Sequence, residues 1–147
     1  MDIDRNGLEV LPREECLRLL RRARIGRVAV SVDALPAVLP VNFTVLGDNI
    51  VFRTNPGAKL DAALANNVVA FEVDDVDPVY HTGWSVLVQG MAREVSEPEQ
   101  VAEVRRAPLR AWAGHGRDRF VRIATDNVSG RRIRAATATA TAERTPS

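Results

Sequence analysis

The order of its elements predicts a mainly β protein, an antiparallel β-barrel with peripheral helices. Strand-like runs rich in β-branched residues succeed one another across short turns, in hairpin order. Helical patterns are few, whereas a parallel nucleotide-binding sheet would need one after nearly every strand. At 147 residues the chain is long enough for one domain with its own core, without disulfides or metals.

The first element is a helix from Pro12 to Ala23, with Cys16, Leu17, Leu19 and Leu20 on its apolar side. Gly26 is expected to end it. Arg27 to Val32 reads as the first strand, and Asp33-Ala34-Leu35-Pro36 turns the chain into a second, Ala37 to Val45. Pro40 lies inside that second strand and cannot donate a ladder hydrogen bond, which implies an edge, a bulge or a ligand-facing position. The N–H groups of Val41 and Asn42 are expected to face a groove beside it. Asn49 to Phe52 follows the Gly47-Asp48 turn as a third strand. Asn55 as N-cap and Pro56 at the first helical position then open a helix through Lys59, Leu60, Ala63 and Leu64.

Asn67 to Val73 is the fourth strand and Gly83 to Val95 a long fifth. Ser96 with Glu99 three residues later predicts a capping box opening a helix from Glu97 to about Ala107. Phe120 to Thr125 and Val128 to Ile133 supply the last strand or two. The domain is expected to span residues 1–134. From Ala135 the alternating alanines and threonines offer no core anchors, so residues 135–147 are expected to be a disordered tail.

Composition excludes several function classes. A net charge of +1 argues against a bulk nucleic-acid or membrane binder. Arg18, Arg21, Arg22 and Arg24 cluster, but mixed with Glu14 and Glu15 on an amphipathic helix, as a solvated face would. The lone Cys16 cannot form an internal disulfide and is expected to be a half-buried helix residue. No run of 18 apolar residues predicts a membrane span. The first residues lack the plan of a signal peptide, so the expected location is cytoplasmic. His81, His115 and Cys16 stand in no recognised metal-ligand spacing. Gly83-Trp84-Ser85-Val86 is not the elbow of a serine nucleophile, and Tyr80 and His81 read as an exposed turn after Asp77-Pro78. Any demanding chemistry is therefore expected from a cofactor.

The cation count points to where that cofactor would sit. Of 20 Lys and Arg residues, 19 are arginine, and the exception is Lys59. Lysine is a compact charge on a flexible stem, suited to reaching a phosphate. The strand–turn–helix around it would leave helix N-terminal N–H groups beside the Arg53 fork, the Thr54 hydroxyl and Lys59. A capped helix with solvated charges at its mouth would read the same way. The segment is neither a nucleotide P-loop nor a Gly-x-Gly-x-x-Gly turn, so a single phosphate is expected rather than a triphosphate.

Three stretches together carry a resemblance. Val38-Leu39-Pro40-Val41-Asn42-Phe43, then Phe52-Arg53-Thr54 with Gly57-Ala58-Lys59, then Gly83-Trp84-Ser85 to Gly90 resemble the pyridoxamine 5′-phosphate oxidase-like family, and in particular its small actinobacterial-type members. The resemblance covers roughly Leu11 to Arg134. It implies a six-stranded antiparallel split β-barrel that binds FMN in a groove between the two subunits of a homodimer. It also implies oxidoreductase chemistry on a small organic substrate. By motif, Arg53, Thr54 and Lys59, with Ala58 and Leu60 beside them, would hold the FMN phosphate. Pro40, Val41 and Asn42 would lie along the ring, and Trp84 and Ser85 would complete the site. Trp112 resembles an aromatic that approaches the flavin late in the chain. One departure stands out. The classical oxidase holds its substrate with an arginine–histidine pair near the C-terminus, and here no histidine follows His115. Some small relatives use a deazaflavin in the same groove, and others bind FMN without known turnover, so those alternatives stay open.

Overall fold

Side-chain alternation builds the wall of the protein. Along β3 (Ile25–Val32), Gly26, Val28 and Val30 are buried while Arg27 and Ser31 are exposed, the period-two pattern of a sheet with one face inside. The wall continues through β4 (Leu35–Leu46), β5 (Asn49–Thr54), β6 (Val68–Asp77), β7 (Thr82–Glu94), β8 (Arg119–Ala124) and β9 (Val128–Ile133), and on β5 and β8 the outer-face residues Val51 and Phe120 are buried as well. This computed structural model describes residues 1–54, 64, 66–107 and 119–135. The expected helix at Pro56 and the alternating tail beyond 135 lie outside the described residues.

All strand pairings are antiparallel, in the order β7–β6–β3–β4–β5–β8, and β8 pairs back onto β7. Six strands thus close a barrel, as the sequence and its family resemblance predict. β7 makes closure possible by changing partner. Gly83 to Val88 pairs with β9, and Ala92 to Glu94 with β8. Beyond β9 the sheet continues into two short strands that the sequence pattern did not reveal, β1 (Asp2–Ile3) and β2 (Glu9–Val10).

The interior is filled by Phe43, Phe52, Phe71, Ile50, Val28, Val86, Val88 and Ile123, all essentially inaccessible. Phe43 and Phe71 meet edge to face, with centroids 4.8 Å apart. Helix α1 (Arg13–Arg22) closes one end, burying Cys16, Leu19 and Leu20. Cys16 is fully buried rather than half-buried, and burial pushes its thiol pKa up. Gly26 does not end the helix. It lies within β3, and a Cβ there would fall 2.3 Å from the Phe71 ring, so the glycine makes room for that aromatic. Helix α2 (Pro98–Arg106) covers a second, smaller core of Val51, Val95, Val104 and Phe120 on the outer face of β5 and β8. Its N-cap is Glu97, with no side-chain capping bond, so the Ser96 capping box does not form.

Candidate functional site: an open strand edge beside Arg53

β4 is twelve residues long and changes partner midway. Leu35 to Asn42 pairs with β3, and Phe43 to Leu46 with β5. Phe43 donates its N–H to the Arg24 carbonyl at 3.0 Å. Antiparallel alternation then commits Val41, Leu39 and Ala37 to the β3 ladder. It turns the N–H and C=O groups of the residues between them toward the opposite edge. Among the described residues no strand pairs with that edge before Phe43. Pro36 and Pro40 both fall at edge-facing positions, where no ladder donor is required. Pro40 is therefore an edge proline, one of the positions its chemistry allows. Asn42 turns its N–H outward as expected. Val41 does not: it is in ladder register with Gly26, and its side chain is buried in the core.

β5 brings the cation to this edge. Continuing the Phe43–Phe52 register by one step sets Asn42 opposite Arg53, on the outer face. Arg53 is half-buried, with its guanidinium carbon 5.3 Å from the centroid of the Phe120 ring. Thr54 is buried at the strand end, opposite Arg119. Pro40, Asn42 and Arg53 therefore gather around one open edge, while Thr54, next along β5, alternates to the inward face of Ile50 and Phe52. Ala58, Lys59, Leu60 and Trp112 lie outside the described residues.

Trp84 and Ser85 are elsewhere. β7 lies three strand steps from β4 in the sheet order, on the order of 14 Å around the wall. Trp84 shares the inward face of Val86 and Val88 and packs against the main core. It also lines a cavity of about 250 Å³ with Leu19, Ala23 and Ile25. Ser85 faces the other way, in register with Asp74 and Arg131. The two side chains cannot line one surface of the sheet. Tyr80 and His81 do form an exposed turn, in which Asp77 Oδ1 accepts from the Val79 and Tyr80 N–H groups at 3.0 and 3.2 Å.

Two features escaped the sequence reading. Arg27, opposite Pro40, donates to Glu72 at 3.2 Å and Asp74 at 2.8 Å. Partial burial, then the hydrogen bond and charge of Asp74, push the Glu72 carboxyl up to about 7, against the pull of Arg27. The carboxylate pair therefore holds a proton close to neutrality. Glu72 and Asp74 stand two apart on one strand, a spacing that puts both on one face. Their approach to Arg27 depends on pairing between β3 and β6. The second feature is a cavity of about 520 Å³ at the far end of β6 and β7, lined by Asp75, Trp84, Arg132 and Arg134. Its arginines are already engaged by Glu9 and Glu15, so the open β4 edge is the better site for an anionic ligand. Among the described residues no cluster of side chains suits a metal ion, and no helix is long and apolar enough to cross a membrane.

Comparison with known proteins agrees with this architecture. An uncharacterized protein of Mycobacterium tuberculosis is 44% identical over 128 residues, covering 84% of each chain. The solved structure of the FAD binding protein from Mycobacterium smegmatis is 39% identical, with a TM-score of 0.76 over 86% of this chain and 100% of that one. A FAD-binding protein from Mesorhizobium loti is 25% identical, with a TM-score of 0.70 over 86% of this chain and 99% of its own. The family match itself runs over residues 12–132, from the residue before α1 to the last but one residue of β9. With the split barrel closed and its strand order established, the chain belongs to the pyridoxamine 5′-phosphate oxidase family.

Proposed function

We propose that the chain binds a flavin nucleotide along the open edge of β4 and works as an oxidoreductase on a small organic molecule. The observation that carries this reading is the outward-turned backbone of Pro40 and Asn42 beside the half-buried Arg53. A flavin nucleotide has a polar ring edge and a phosphate, and this edge offers backbone hydrogen bonding and a bidentate cation for them. Two relatives that bind FAD place FAD beside FMN as the cofactors to test, and the sequence motif is equally compatible with a deazaflavin phosphate. When bound, the flavin supplies the hydride or electron transfer. The chain's own part is to hold it. Arg53 would grip the phosphate with Lys59 as a second charge, and the Asn42 N–H would serve the ring's polar atoms.

The assembly we propose is a two-fold homodimer. Trp84 and Ser85 stand too far around the barrel to join Asn42 and Arg53 at one ring within a single chain. A second copy would present its outward-facing Ser85 to that edge, while Trp84 stays on the inward face of its own barrel.

A titration with FMN, FAD, riboflavin and a deazaflavin, side by side, tests the reading. Arg53→Gln should weaken FMN and FAD by tenfold or more, the scale of a lost charge-assisted bond of about 1.5–3 kcal/mol. Riboflavin, which lacks the phosphate, should be little affected. Asn42→Pro removes one outward N–H without touching the β3 ladder, and should cost about fivefold in affinity for all the flavins. Equal losses for riboflavin and FMN in the Arg53 variant would move the phosphate elsewhere. Preference for the deazaflavin over FMN and FAD would replace the cofactor in this reading.

A further inference from the structure

The outer face of β5 and β8 carries a second cleft that the flavin reading does not use. Helix α2 lies over this face, and between them is a cavity of about 250 Å³. Its floor includes Val51, Val95 and Val104, three buried residues of the smaller core, with Leu46 half-buried beside them. Arg122 lines the same cavity and is half-buried. In the β5–β8 ladder Arg122 stands opposite Val51, and in the β7–β8 ladder opposite Arg93.

Residues directly opposite in antiparallel strands project from one face, so Arg93, exposed and outside the cavity lining, stands beside Arg122 on that face. Like charges in that position repel. Among the described residues neither Arg93 nor Arg122 makes a hydrogen bond or an ion pair that would relieve it. Glu103 of α2 also lines the cavity, but it is exposed and forms no ion pair with Arg122. The neighbouring arginines are treated differently. Arg119, three residues earlier on β8, reaches Glu94 at 3.8 Å.

We propose that this cleft is a binding site for a small organic anion: a carboxylate with a short apolar body. The carboxylate would bridge Arg122 and Arg93, relieving the repulsion between them, as guanidinium forks do with carboxylates. The apolar body would lie on Val51, Val95 and Val104. The volume lies just below the range of pockets for drug-sized ligands, which suits a short-chain or monocyclic acid. The cleft also adjoins the proposed flavin edge. Phe120, in the same small core as Val51 and Val104, carries the Arg53 guanidinium on its other contact. A ligand on Val51 would press on the residues that position Arg53.

The inference does not rest on the flavin reading, and the test separates them. Calorimetry on the full chain would compare hexanoate, hexan-1-ol and inorganic phosphate, with and without saturating flavin. Saturable hexanoate binding in the millimolar range or tighter is expected, with the alcohol and phosphate each at least tenfold weaker. Arg122→Gln should abolish hexanoate binding or weaken it at least tenfold, and Arg93→Gln should weaken it severalfold. Val51→Ala, which leaves the charges in place, should weaken hexanoate while sparing phosphate. No saturation by hexanoate up to about 10 mM would overturn the proposal. Phosphate binding as tightly as hexanoate would overturn it too, because the apolar floor would then contribute nothing. Unchanged hexanoate affinity in Arg122→Gln would place the acid elsewhere. A protein that binds no flavin but binds hexanoate in this pattern would sink the proposed function and leave the cleft standing.

Discussion

Two arginine-rich parts of one sheet are built on opposite plans. On β9, Arg131 reaches Asp4 at 2.9 Å and Arg132 reaches Glu9 at 3.4 Å and Glu15 at 3.2 Å, and just past the strand Arg134 reaches Glu9 at 3.2 Å. Above them α1 fits so closely that a Cβ on Gly130 would come within 2.7 Å of the Cys16 sulfur. On the β7–β8 ladder, Arg93 and Arg122 stand opposite each other, with Arg122 in the wall of a cleft and no carboxylate bonded to either among the described residues. The first plan fastens the N-terminal residues to the barrel, and the second leaves charge available to a ligand. Partner sets, not residue counts, assign a role to each arginine of this chain.

The comparison breaks most readily at α1. Leu20 is fully buried beneath the helix that seals the β9 side. Leu20→Ala should destabilise the protein by about 2–5 kcal/mol, read from urea unfolding. Anion binding at the Arg122 cleft should be unchanged under native conditions. Loss of both together would mean that the two regions are one cooperative unit in function as well as in folding.

A smaller effect is expected at the β3–β4 turn, which leads into the open edge. Asp33 and Ala34 have φ values of 50° and 66°, a left-handed pair between strands in two-residue hairpin register. Alanine is strained there, so Ala34→Gly should stabilise the fold by about 1 kcal/mol. A higher urea midpoint with unchanged flavin affinity would show that the edge is set by its register with β3 and not by turn strain.

The smallest effects are pH slopes, which run in opposite directions at the β9-side cluster and at the carboxylate pair on β6. Arg18, and then Arg132, hold Glu15 down from the usual 4.5 to about 2. A carboxyl with a lower value in the folded state adds stability that is complete above pH 4.5 and is lost as pH falls toward 2. Glu72 on the outer face of β6 is pushed up to about 7. Its contribution is complete below 4.5 and is lost as pH rises through 7. Glu15→Gln should therefore flatten the acid limb of a stability–pH curve and Glu72→Gln the neutral limb. Solvent screening keeps both slopes shallow. An acid limb altered by Glu72→Gln would show the two clusters to be coupled.

Much of the barrel was legible in the sequence because strand and helix periods are local. Val28-Ala29-Val30, Val69-Ala70-Phe71 and the long run into Val88 alternate as half-buried strands do, and α1 shows its Cys16, Leu19 and Leu20 stripe. Two-residue strands carry no period, so β1 and β2 were invisible until β9 gave them a partner. Gly26 looked like a helix stop because the sequence cannot show that a Phe71 ring, 45 positions later, lies across it. The motif residues separated in the same way. Pro40, Asn42, Arg53 and Thr54 share a region because β4 and β5 are neighbours through a short turn, which sequence distance already favours. Trp84 and Ser85 were set apart by strand order, and Val41 was turned inward by ladder parity. The sequence by itself determined the longer strands and which side-chain types the chain carries. Only the tertiary structure decided which of those residues meet, because register between distant strands fixes both face and edge, and a one-residue shift would exchange them.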